Sequence, residues 1–458
     1  MSKALKAVGV GVLVVAAAYT GSAWYIGKKT ETEVTKQVQL VQQLLQHPSL
    51  NPYMQISQVH INHYERGVFG STLSYTVQLT APQELELQFE DRIAHGPWPW
   101  RALSQGHFGP LLAYSQSQLV PTSSTQLWFE ASTDSTPYQA HTTYGFNGHI
   151  QGQAEVAPIR YYSPDQVQYE LAALQAQYQY QVSTQQLQLE LTTPQLAIDA
   201  IKQQQLIHAT KLQVQLDADL QADHQEVHSQ LRLQQLKLLD HLGQLQLDGI
   251  QSQTQSTLVH PLLKAQMQTH IQAVQFDEWQ IGQVDLDVQF DQVDVPALKS
   301  VWATRHDESA PAQQLFKSAL SQFLHAQPTL EQATLSWHNP AGSSQIAAAM
   351  QLAALSADEA DQVESLVQLF NYLTIDASLT RAMIKEAAGR KTMAAMLADM
   401  SFVSAVEIAK QFGLVDYDGK QADFALEIDR STERIMLNKQ PISPEQWQRL
   451  WSFIEFFN

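Results

Sequence analysis

The stretch Leu212–Asp223 reads LQVQLDADLQAD, six apolar/polar pairs in succession. Side chains alternate across a strand with a period of two, whereas a helix would smear these leucines and valines around its whole surface. The stretch is therefore read as one β-strand with a dry face and a wet face. At about 3.3 Å per residue it is some 36 Å long, well beyond the five or six residues of an average strand. The same period returns on both sides. It is found in Leu187–Leu191, Leu231–Leu233, Leu245–Asp248 and Val284–Phe290, and earlier in Met54–Ile61, Leu73–Leu79, Leu85–Glu90 and Ala140–Val156. Gln126–Ala131 is read as strand-like too. One dry and one wet face per strand is the pattern of an antiparallel meander.

The wet half of the period is largely glutamine. The 458 residues include 64 Gln, 35 of them between positions 151 and 300, while only 16% of the chain is charged. Strict alternation with Leu and Val separates these tracts from low-complexity disorder, which has no dry face. The formal charge is -18. An acidic chain without clustered Lys and Arg is not built to neutralise phosphates, so nucleic acid is excluded as a partner. No cysteine is present, which removes disulfides, thiolate chemistry and thiolate metal sites.

Two segments depart from the strand period at the start of the chain. Ala7–Gly27, AVGVGVLVVAAAYTGSAWYIG, carries no charge and is flanked by Lys3 and Lys6 on one side and Lys28 and Lys29 on the other. About 20 helical residues cross a bilayer core of ~30 Å. Ala7, Val8, Val10, Val12, Leu13, Val14 and Val15 would face lipid, with Trp24 and Tyr25 at the interface. A cleaved signal peptide with Gly21-Ser22-Ala23 at its end is the alternative. The long apolar run, continued by the Trp-Tyr pair, favours an uncleaved anchor. Thr30–His47 then carries a helical stripe, with Thr30 and Glu33 as a capping box.

Beyond residue 295 the character shifts. Pro296–His325 reads as two helices broken near Pro311. Ala333–Trp337 and Gln345–Leu355 read as a hairpin about Asn339–Gly342. Ala357–Phe370 and Leu379–Phe412 read as helices, the second interrupted at Gly389 and capped by Gly413. A hairpin, Ala422–Ile428 with Arg434–Asn438, leads to a last helix from Pro444 with Ser443 as its cap. The expected class is α+β. A transmembrane helix precedes a long, curved, mainly antiparallel sheet, and C-terminal helices pack on or beside that sheet. The expected division is 1–29 anchor, 30–295 β-rich body and 296–458 α+β region.

Chemistry is sparse. His224, Glu226 and His228 do not have the spacing of a helical zinc motif and read as a solvated strand edge. The carboxylates of 358–364 fit the first turn of a helix. Met393, Met396 and Met400 read as core of a helix, and His95 as a structural loop residue. No nucleophile elbow, dinucleotide fingerprint or phosphate loop occurs. No catalytic, cofactor-binding or metal-ligating residue is assigned, and the chain is expected to be non-enzymatic.

Several stretches resemble the YdgA/YihF family of bacterial proteins, a domain of unknown function. They are the run Lys3–Lys29, then Tyr64, Arg66, Gly67, Phe69 and Ser71 of YERGVFGS, then His95, Gly96 and Pro97 of HGPWP, and then Trp337. The turn Tyr417–Lys420 ahead of Leu437–Lys439 looks similar too. The middle, rich in Gln, departs most. The resemblance implies an inner-membrane anchor of a Gram-negative bacterium and a periplasmic body, and it brings no catalytic residues. The long alternating sheet also looks like AsmA-type envelope proteins, which implies an apolar groove for lipid. The expectation is thus a periplasmic envelope protein that holds or guides lipid, or another apolar molecule, on the dry sheet face. The alternative is a scaffold for an envelope-protein partner.

Overall fold

The computed structural model describes residues 56–442 apart from the short stretches 67–69, 80–84, 96–98, 164–165, 201, 203, 222–223, 306–308, 357–358, 360–365, 390–391 and 433. The expected anchor, the helix after it, the final helix, and Gly67, Phe69, Gly96 and Pro97 lie outside the described residues. Among those described, no helix is long and apolar enough to cross a membrane. The chain divides into two compact units, Met1–Gln244 and Leu245–Asn458. Each is mostly antiparallel sheet, with a few helices.

The first unit holds β1 (Ile56–Arg66), β2 (Gly70–Leu79), β3 (Leu85–His95), β4 (Ala113–Leu119), β5 (Tyr138–Tyr144) and β6 (His149–Val156). Each pairs antiparallel with the next. Two short helices lie in its connections, α1 (Trp100–Ser104) and α2 (Gln126–Ala131). The hairpin of β7 (Ile159–Tyr162) and β8 (Val167–Leu171) interrupts the meander, and β6 pairs instead with β9 (Leu174–Gln181). β10 (Gln186–Ala200) takes β9 along its first half and β8 along its second. β11 (Gln205–Leu220) and β12 (Gln225–Asp240) complete the unit.

The stretch LQVQLDADLQAD thus lies largely in β11, which is 16 residues long. Pro194 has no N–H to donate, and it stands opposite Lys211 at a gap in the β10–β11 ladder where Lys211 has φ +51°. The dry faces of the strands from β1 to β12 share one core containing Tyr75, Phe89, Tyr138, Tyr144 and Tyr178. Rings reach over an intervening strand. The Tyr75 hydroxyl on β2 is 3.3 Å from Ser117 Oγ on β4, and Phe89 on β3 meets Tyr138 on β5 edge-on at 5.3 Å. Tyr178 on β9 crosses β6 to bond Thr142 on β5 at 2.5 Å. Gly152 of β6 permits that crossing, since a Cβ there would stand 2.2 Å from the Tyr178 oxygen.

The second unit begins with β13 (Gly243–Val259), β14 (Leu262–Phe276) and β15 (Trp279–Asp294), then two helices, α3 (Val295–Thr304) and α4 (Ala310–His325). Strand gives way to helix between Asp294 and Val295. Asp294 caps α3 by accepting from the Ala297 N–H at 2.9 Å, and Gln322 of α4 donates to the same carboxylate at 2.8 Å. The sheet continues through β16 (Thr329–Asn339), β17 (Gly342–Leu352), the single turn α5 (Leu366–Leu369) and β18 (Phe370–Thr380). It then passes through α6 (Arg381–Ala387) and α7 (Met393–Gln411) to β19 (Asp416–Tyr417), β20 (Gln421–Asp429), β21 (Arg434–Leu437) and β22 (Gln440–Pro441). β18 pairs with β20, so two helices span one connection of the meander. Gly389, at φ +80°, separates α6 from α7, and Gly413, at φ +72°, follows the end of α7.

Three readings are corrected. Gln126–Ala131 is helix rather than strand, because Thr122 and Thr125 hydrogen-bond each other's backbone and side chains and start a turn. Phe370, Leu379 and Thr380, read as helix ends, belong instead to one strand, Phe370–Thr380, whose middle the sequence reading left unassigned. Its Leu373, Ile375, Ala377 and Leu379 alternate, and the ladders to β17 and β20 hold it. Met393, Met396 and Met400 are exposed rather than core, while Met383 of α6 is fully buried.

Candidate functional site

The dry face of the second unit's sheet is built by register. Leu286 on β15 stands opposite Leu335 on β16, then Ile346 on β17 and Ala377 on β18. The next row is Met267, Val288, Ala333, Ala348 and Ile375. A third is Ala265, Phe290, Leu330, Met350 and Leu373. Trp337 borders the first row opposite Val284, and its indole N–H donates to the Ile281 carbonyl.

The ends of this face are covered and its middle is not. Ile428 on β20 is fully buried, and Met383 of α6 seats against Asn339 and Ser344. Leu324 of α4 packs with Ala353 and Leu355 beyond the end of β17. Leu335 and Ile346, however, are each 41% exposed. Helix α7 does not cover them. It rests on α6 and β19, leaving Met393, Met396, Leu397 and Met400 in solvent. The contrast with the first unit is sharp, for there Tyr75 and Val77 are at 0%. An apolar face of this kind can do one thing chemically, which is to take up apolar surface from water. The opposite face is polar and carries a hydrogen bond between His270 and Asp285 at 2.6 Å and an ion pair between Lys264 and Asp291 at 3.0 Å.

The first unit holds a buried acid that the sequence reading passed over. Asp91 on β3 is fully buried. Ser117 stands opposite it on β4, and Leu73 on β2. Neither carboxylate oxygen receives a hydrogen bond of good geometry from the described residues, and desolvation raises its pKa to about 7 against the pull of the Ser117 and Ser115 hydroxyls. The same burial raises Tyr75, Tyr138, Tyr144 and Tyr178. A detectable signal was present, because Asp91 falls in phase with the apolar Leu87, Phe89 and Ile93.

The residues singled out from sequence are only partly gathered. Arg66 and Ser71 are cross-strand partners at one end of β1 and β2, where Ser71 is buried and also faces Ile93. Tyr64 is exposed two residues earlier on β1, and His95 ends β3 opposite Ala113. Trp337 belongs to the second unit. His228 pairs with Glu226 at 3.0 Å, opposite Asp217 and Asp219 respectively. Among the described residues no His, Asp or Glu cluster has a metal-binding arrangement.

The family match extends over nearly the full length. The family described as a bacterial protein of unknown function, DUF945, matches residues 1–445. The chain belongs to that family. It is 28% identical over 173 residues to Protein YdgA of Escherichia coli (strain K12), covering 36% of this chain and 34% of that protein. It is 29% identical over 157 residues to an uncharacterized protein of Haemophilus influenzae, covering 34% of this chain and 42% of that one. The uncharacterized protein YihF of Escherichia coli is 26% identical over 162 residues, a third of each chain. The aligned part thus spans only about a third to two-fifths of these relatives. No solved structure matches.

Proposed function

We propose that this DUF945 protein is a non-enzymatic envelope protein, anchored in the inner membrane by residues 7–27, whose periplasmic body holds or guides lipid along an apolar sheet face. The observation that carries the reading is the half-exposed strip centred on Leu335 and Ile346, which α7 leaves uncovered. From β14 to β18 the strip crosses five strands spaced at about 4.8 Å, or roughly 19 Å. One acyl chain fills half of a ~30 Å bilayer core, so the strip is of the right length for one chain. The apolar run Ala7–Gly27 supports the membrane side of the reading.

The test is native mass spectrometry of the full chain purified in mild detergent. We expect co-purifying phospholipid, lost or much reduced in Leu335→Glu/Ile346→Glu, two part-exposed positions, with urea denaturation of the variant to show that it is folded. Lipid bound equally by both proteins, or by neither, defeats the reading. The second reading, a scaffold for a protein partner, is favoured by the exposed Met393, Met396, Leu397 and Met400 of α7. Methionine-rich apolar surfaces suit adaptable protein contacts.

A further inference from the structure

The wet face of the first unit carries a groove of about 700 Å³, bounded by Gln105, His107 and Tyr114 at one end. Its floor is two cross-strand ladders. One runs Thr143, Gln151, Gln179, Gln188, Asp217 from β5 through β6, β9 and β10 to β11. The other runs His141, Gln153, Gln177, Glu190, Gln215 over the same strands. A second hollow of about 530 Å³ continues the first ladder past Gln179, Gln188 and Asp217 to His228 on β12.

Six of these positions are glutamines, and among the described residues none of their side-chain amides has a protein partner. The carboxylate of Glu190 is instead taken by Gln213, at 2.8 Å. The six glutamines keep one acceptor and two donors each for something else.

We propose that this groove binds a linear, neutral glycan. A carboxamide both donates and accepts, and so does a sugar hydroxyl, whereas a phosphate or carboxylate only accepts. No Lys or Arg lines either hollow, and Asp217 and Glu190 repel anions. The two polar ladders that floor the groove, with the carboxylates of Asp217 and Glu190, suit hydroxyl groups better than an acyl chain. The ladders present a pair of polar groups at every strand, about every 4.8 Å. That is the order of the repeat of a pyranose chain lying across the strands. At one end Tyr114, itself buried, packs behind the half-buried His141 at 6.1 Å and the exposed His107 at 6.2 Å, so the two imidazoles are the rings that a sugar face can meet. The Tyr114 hydroxyl and His141 Nδ1 hydrogen-bond at 2.9 Å, and burial lowers the pKa of that imidazole. The inference is independent of the lipid reading, which concerns the other unit.

Isothermal titration of the full chain with chitohexaose, cellohexaose and maltohexaose tests it, with an oligogalacturonate and an uncharged hexapeptide as comparisons. Saturable binding of at least one neutral hexasaccharide is expected at millimolar concentration or below. Q153A/Q177A and Q179A/Q188A, all at exposed positions, should each weaken it about tenfold or more, about 1.4 kcal/mol. Gln→Thr replacements, which favour strand, provide a second variant set should either double mutant melt early. No binding by any neutral hexasaccharide overturns the proposal. So does binding that survives both substitutions, or equal or tighter binding of the oligogalacturonate or the hexapeptide.

Discussion

At Asp91 a single carboxyl sets a pH dependence. Its pKa is raised by burial to about 7, above an unfolded value near 3.9. The folded state therefore holds the proton through a window in which the unfolded chain has released it. The contribution of Asp91 to stability is fullest below about pH 4 and falls as pH rises towards 7, by up to about 4 kcal/mol over the window. Asp91→Asn keeps the shape and removes the titration. It should be more stable than the parent at pH 8 by about 1–4 kcal/mol and nearly equal to it at pH 4, as read by urea denaturation at both values. A parent–variant difference that does not change with pH would contradict the assignment. The sequence carried the clue, since Asp91 breaks the dry half of an otherwise regular alternation. Its tyrosine surroundings were not legible, because Tyr138 and Tyr178 reach it only through strand order.

Among the elements, the join between α6 and α7 rests on one acid. Asp399 of α7 accepts from Arg381 of α6 through both oxygens, at 2.7 Å on the Nη2 side, and from Lys385 at 2.9 Å. The guanidinium beside it, with the ammonium, holds its pKa far below the usual carboxylate range. A depressed pKa gives stability that is present above about pH 4 and is lost as pH falls through the folded value. Asp399→Asn should therefore cost about 1–3 kcal/mol at pH 6, with the difference shrinking below pH 4. Equal destabilisation at pH 6 and pH 3 by guanidinium titration would remove this account.

The strands were the most legible elements, since β11, β15 and β20 each announce a period of two and the turn at Asn339–Gly342 marks β16 and β17 as a hairpin. β18 was lost because its Leu, Ile and Ala are equally good helix residues and helical sequence flanks it. The exposed side of α7 was not legible at all. Its methionines have a core-like spacing, and only the path of the chain after Gly389 places them in water.

For the whole molecule, the apolar run at residues 7–27 governs the expectation of place. An uncleaved anchor with the bulk of the chain outside the cytoplasm makes the body a substrate for added protease in spheroplasts. We expect the intact chain in whole cells to be trimmed to a short membrane-bound fragment after spheroplasting. Degradation only after lysis would put the body on the other side. The candidate sites were unevenly readable at this scale. The dry strip was foreseen as a periodicity, but whether anything covered it depended on where the helices lay. The amide ladders were foreseen only as a wet face, because Gln153 and Gln177 are 24 positions apart and meet through the detour of β7 and β8.

Within each unit, nearly every strand pairs with the strand made just before it, the β7–β8 hairpin and the two-helix connection before β20 being the main departures. Loop closure costs little between neighbours in sequence, and folding is faster where contacts are local. A chain leaving the ribosome can thus add each strand to an edge already formed, without waiting for its C-terminus. The waits fall at β6, whose edge stands unpaired for the length of a hairpin until β9 arrives, and at β18, whose edge waits through two helices for β20.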